Sequence, residues 1–127
     1  MNVEKVIFSA FNLLALTINF GFVMGEIDNP VHHHAWELFL AIIVSLIATI
    51  LKLGDRSHLG AMLLATSIVA DIHLVGAAVI WGMSLYVFET GTTPSVIASV
   101  VSMAGGALIA NIASVVLMLV ETIQLRR

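Results

Sequence analysis

Cysteine is missing from this chain of 127 residues, and with it go disulfides, thiolate metal sites and cysteine nucleophiles. Charge is scarce. Asp, Glu, Lys and Arg make up 10% of the residues, against roughly 25% in a soluble domain. Five basic residues in all are too few for a nucleic-acid surface. There is no glycine-rich phosphate loop and no HExxH motif. No nucleophile and base stand out as a pair, so an enzyme is not expected and no cofactor is predicted.

What fills the chain is apolar: 60% of the residues are hydrophobic and the mean hydropathy is +1.08. A globule of this length would lack the polar residues to coat itself, so the solvent must be a lipid bilayer. Four apolar runs stand out, at about 4–24, 35–53, 59–88 and 95–123. Each reaches the roughly 20 residues that cross a hydrocarbon core. Lipid cannot satisfy open backbone groups, so every run must be helical despite its many Val and Ile residues. The first run holds Asn12 and Asn19 and has no convincing cleavage site before Glu26, so it is expected to be retained as a helix.

The breaks are short. "GEIDNP" (25–30) is a turn, with Asn29 as a cap and Pro30 in the first turn of the second helix. "LGDRSHLG" (53–60) is a tight link, and "ETGTTPS" (89–95) a turn with Ser95 or Thr93 as cap. Links this short set successive helices antiparallel. The fold class expected is therefore all-α: one polytopic domain over 1–127 with four antiparallel transmembrane helices. Lys5, Lys52, Arg56, Arg126 and Arg127 all fall on the side of the N-terminus, while the opposite loops hold Glu26, Asp28 and Glu89. The positive-inside rule then makes both termini cytoplasmic.

The segments "IDNPVHHHAWELF", "LKLGDRS" and "LLATSIVAD" resemble an uncharacterised family of short bacterial inner-membrane proteins. The likeness runs along nearly the whole chain. It implies the four-helix fold and an inner-membrane location, and no activity.

Asp71 is the costliest residue to bury, at roughly 2.5–3.5 kcal/mol for a central Asp. Counted from the span centres, Asp71, Asn12 and Asn111 lie within about 5 Å of one layer, and Ser67 is one turn from Asp71. Each helix has a small or polar stripe. On the second it is Ala41, Ser45, Ala48, Thr49 and Lys52; on the fourth, Ala107, Asn111, Ser114 and Glu121. Two readings of the layer compete. It is interhelical glue, or it is a cation or proton site of Asp71, Ser67, Asn12 and Asn111, with Glu37 nearer the outside.

His73 is about 200° around the helix from Asp71, so it is expected to face lipid or another subunit. Gly106, Ala110 and Ser114 form a small-xxx-small series for close helix approach. Together with His73 they are the expected homo-oligomer interface. His32, His33 and His34, with Glu26 and Asp28, read as an outward rim or vestibule. His33 and Glu37, four apart, are two candidate ligands for a Zn²⁺, Cu²⁺ or other cation that need partners from elsewhere. Protonating the histidines below roughly pH 6.5 would weaken such a vestibule's pull on cations.

The function expected is a homo-oligomeric cation or proton pathway in the bilayer. The alternative is a non-conducting accessory or scaffold subunit of a larger membrane transport or respiratory complex. No nucleic-acid partner is expected.

Overall fold

A computed structural model describes residues 3–55 and 57–125. Arg56, Arg126 and Arg127, three of the five residues in the orientation argument, lie outside the described residues. The described chain forms α1 (Val3–Val23), α2 (Ala35–Lys52), α3 (His58–Tyr86) and α4 (Pro94–Leu125), with a 3-10 turn at Pro30–His32. All four α-helices are long and apolar enough to cross a membrane. Their ends fall within two residues of the expected spans.

The caps explain the ends. Ser57 Oγ accepts the Gly60 N–H at 2.9 Å and opens α3. Thr93, not Ser95, caps α4: its Oγ1 accepts the Val96 N–H at 3.2 Å, and Pro94 takes the first helical position. At α2 the expectation is corrected. Asn29 Oδ1 accepts the Val31 N–H at 3.0 Å and starts the 3-10 turn instead, so Asn29 and Pro30 lie ahead of α2. The helix itself begins at Ala35.

Each helix packs mainly on two neighbours: α1 on α2 and α4, and α3 on α2 and α4, with the α3–α4 seam the most extensive. The larger core cluster is rich in alanine (Ala41, Ala70, Ala77, Ala104, Ala107), with Phe22, Leu38, Leu74 and Ile97 filling the wider layers. Small side chains let the backbones approach, which is how helices associate where lipid supplies no hydrophobic drive. A second cluster joins Phe8, Ala48 and Leu63. The outward faces are apolar, with Ile43, Ile50, Ile72 and Ile109 all exposed. That is the surface a lipid-facing helix presents.

Gly106 is one of two glycines on the α3–α4 seam with no room for a side chain, the other being Gly76 against Met103. A Cβ on Gly106 would sit 2.5 Å from His73 Cδ2, so even alanine requires the His73 ring to move. Gly106→Leu is expected to push the seam open and cost about 1–3 kcal/mol, as overpacking does. Unfolding in a denaturing detergent series measures it, with Gly106→Ala losing less.

Candidate functional site

Asp71 is partly buried on the seam between α2 and α3. Ser45 Oγ donates to its Oδ1 at 2.6 Å, and Thr49 Oγ1 lies 2.6 Å from its Oδ2. Ser45 and Thr49 are four apart on α2, so both hydroxyls rise from one face and straddle the two carboxyl oxygens. Thr49 Oγ1 also lies 3.0 Å from the Ser45 carbonyl. Its single proton can serve one acceptor at a time, so this hydroxyl can switch between backbone and carboxylate. The result is a carboxylate with two hydroxyl neighbours, inside a span and reachable from the edge of the bundle.

The expected companions are elsewhere. Asn12 Nδ2 donates to Ser114 Oγ at 2.8 Å across α1 and α4. Asn19 Nδ2 donates to the Ala104 carbonyl at 3.0 Å on the same seam. Asn111 is buried, and its Nδ2, like Asn19 Oδ1, has no partner among the described residues. Ser67 is buried as well. Among the described residues the Asp71 bonds run to α2, not to Ser67, Asn12 or Asn111. Glu37 is partly buried against Gly21, where an added Cβ would lie 3.0 Å from its Oε2. It stands eight residues before Ser45, about 12 Å of helical rise away. The structure therefore separates the expected layer into an α2–α3 acid site and an α1–α4 amide seam.

His73 points to the other side of α3. Its Nδ1 is 2.9 Å from the Val69 carbonyl and its ring lies on Gly106 of α4, partly exposed. A shallow apolar groove runs beside it, lined by Thr66, Val69, Gly106, Ile109, Ala110 and Ala113. Ser114, also expected at an oligomer interface, is buried and bonded to Asn12 in its own chain. Ala110 is buried as well.

The three histidines lie before α2 and not on it, so His33 and Glu37 do not share the helical face that i, i+4 spacing would give. They differ from one another. His34 is exposed at the N-cap position of α2. His32 is exposed, and its Nδ1 accepts the Glu26 N–H at 2.9 Å. His33 is buried, with Nδ1 and Nε2 each 2.6 Å from a backbone carbonyl, of Phe22 and Glu26 respectively. Glu26 and Asp28 are exposed. Among the described residues no three His, Asp or Glu side chains converge as a metal-ligand set.

At the opposite end Lys5 pairs with Glu121 at 3.1 Å, and Lys52 with Asp55 at 3.1 Å. The Lys52 amine also sits 4.4 Å from the centre of the Phe8 ring, a cation–π contact. Asp55, on the link after α2, is lowered from 3.8 to about 2 by its bonds from the Ser57 hydroxyl and N–H, with Lys52 adding to the effect. It stays anionic throughout the range in which histidine titrates.

Sequence reasoning missed Ser45 and Thr49 as the partners of Asp71, although both stood on the polar stripe of α2. It also missed the carbonyls around His33, which no side-chain pattern announces.

Fold and site together define a bundle of four helices, each long and apolar enough to span a membrane, with a carboxylate–hydroxyl cluster on one seam. The chain belongs to a family of unknown function, DUF6394, which matches residues 32–122 and so takes in the histidines, the Asp71 cluster and all of α2 and α3. No curated protein and no solved structure matches the chain.

Proposed function

We propose that this protein is a homo-oligomeric inner-membrane protein that passes a cation or proton, with Asp71 as the internal site. The observation that carries the reading is the intramembrane carboxylate between two hydroxyls at 2.6 Å. An ionisable group within a span is costly and is by default a functional one. Asn would fill a purely adhesive role at less cost.

The four helices run antiparallel with both termini cytoplasmic. The pairings Lys5–Glu121, Asn12–Ser114 and Asn19–Ala104, in which number rises on α1 as it falls on α4, support the arrangement. The distribution of Lys and Arg supports the sidedness. The core between the helices is filled by Phe22, Leu38, Leu74 and Ile97, so the pathway runs along the α2–α3 seam and is completed by further copies of the chain. His73 and the Gly106 groove on α3–α4 form the contact between copies. Glu26, Asp28, His32 and His34 form the outer mouth.

Ion flux into proteoliposomes tests this, scanning K⁺, Na⁺, Ca²⁺ and H⁺ against protein-free vesicles. Flux of at least one ion well above that background is expected. No flux for any of them, from an intact oligomer, would make the chain an accessory subunit of a larger membrane complex.

A further inference from the structure

His33 closes the loop between α1 and α2 with both of its ring nitrogens. Nδ1 is 2.6 Å from the Phe22 carbonyl and Nε2 is 2.6 Å from the Glu26 carbonyl, in a side chain 2% exposed. A carbonyl oxygen can only accept. A neutral imidazole has one N–H and one bare lone pair, so in that form one of these contacts sets lone pair against lone pair. The doubly protonated ring donates to both. The Phe22 carbonyl also belongs to the last turn of α1, where carbonyls lack helical partners and a cation is favoured.

His32 has the opposite requirement. Its Nδ1 accepts the Glu26 N–H at 2.9 Å, so that nitrogen must be bare and the ring neutral. The peptide flanks of Glu26 are thus held by two adjacent histidines in different protonation states. Gly25 makes the approach possible: its φ is +99°, and a Cβ there would lie 2.7 Å from His32 Cβ and 2.8 Å from its Nδ1.

We infer that His32 and His33 form a two-histidine proton latch, with His33 as a proton-binding site, which holds the 24–34 loop closed only while His33 is doubly protonated and His32 is neutral. The ligand is a proton. The other titratable groups around it are Glu26 and Asp28 of the loop and His34 and Glu37 at the start of α2. On the facing elements α1 contributes Phe22, and α3 contributes Trp81 packed on Phe22, neither of which titrates in histidine's range. The sign follows from proton counts. The closed loop holds one more proton at His33 than the open loop with neutral His33, so closure is lost as pH rises. It holds one fewer at His32 than the open loop with charged His32, so closure is lost as pH falls. Loop closure therefore peaks at an intermediate pH and falls on both sides of it.

The test uses the full chain in lipid nanodiscs and does not depend on ion flux, so it stands apart from the pathway reading. Amide-exchange protection factors of Glu26 and Asn29, whose N–H groups bond within the loop, are followed against pH together with the ¹⁵N signals of the His33 ring. The expected result is a bell-shaped protection profile. Each limb approaches a tenfold loss per pH unit, the slope of one linked proton. His33→Gln should flatten the alkaline limb and His32→Gln the acid limb. At the maximum, the wild-type His33 ring should carry a proton on each nitrogen. A flat profile overturns the inference, as does a His33 ring with a single proton while the loop stays protected. The ring measurement decides the matter even if a variant fails to fold.

Discussion

Asp71→Asn is expected to reduce ion flux to the level of protein-free vesicles while leaving the oligomer and its unfolding midpoint nearly unchanged. The amide has the shape of the acid, and the hydroxyls of Ser45 and Thr49 can turn to accept from it as readily as they donate to the carboxylate. Hydrogen bonds between membrane helices average about 0.6 kcal/mol, so re-pairing two of them changes stability by about 1 kcal/mol at most. Charge and proton exchange are what the substitution removes. Flux assays paired with gel filtration in mild detergent separate the two consequences. If flux and assembly are lost together, Asp71 is structural glue and not an ion site.

Phe22→Ala should produce the largest loss of stability. Phe22 is 0% exposed, and its ring stands 5.7 Å from His33 and 6.1 Å from Trp81, joining α1, the histidine loop and α3. In a soluble core, Phe→Ala costs about 3–5 kcal/mol, part of it transfer from water and part the cavity. In a bilayer the transfer part shrinks, because a lipid tail is as apolar as the core. What is left is lost packing, about 2–3 kcal/mol, read from unfolding in a denaturing detergent series. Leu13→Ala on the lipid-facing side of α1, 45% exposed in the wild type, should change the midpoint little. A Phe22→Ala protein that unfolds like the wild type would remove this junction from the account of stability.

The helices were legible in the sequence because hydropathy and length leave one backbone solution in lipid, and turn residues mark the ends. The site was legible only in part. Asp71 announces itself by cost, but depth alone does not choose its partners. Ser45 in α2 (Ala35–Lys52) lies within two residues of its helix's midpoint, as Asp71 does in α3 (His58–Tyr86), so it shares the layer with Asn12 and Asn111. Which seam each side chain faces decides: the carboxyl meets Ser45 and Thr49 on α2, while Asn12 bonds Ser114 across α1 and α4. The histidines misled for a local reason. Asn29 and Pro30 start a 3-10 turn of their own, which took His33 off the α2 face shared with Glu37 and put its nitrogens on backbone carbonyls. Carbonyl partners have no signature in residue type.

The unequal helices have a consequence for the membrane itself. At 1.5 Å per residue, α2 is about 27 Å long and α4 about 48 Å, beside a hydrocarbon layer about 30 Å thick. A short span such as α2 is met by local thinning of the bilayer, by snorkelling of flanking side chains such as Lys52 or by association with further copies, and a long one such as α4 by tilt or extension past the hydrocarbon. Thr49 is three residues from Lys52, where α2 ends, a rise of about 4.5 Å. In the proposed pathway, that short rise sets the Lys52 end of α2 as the side from which headgroups and water reach the Asp71 cluster.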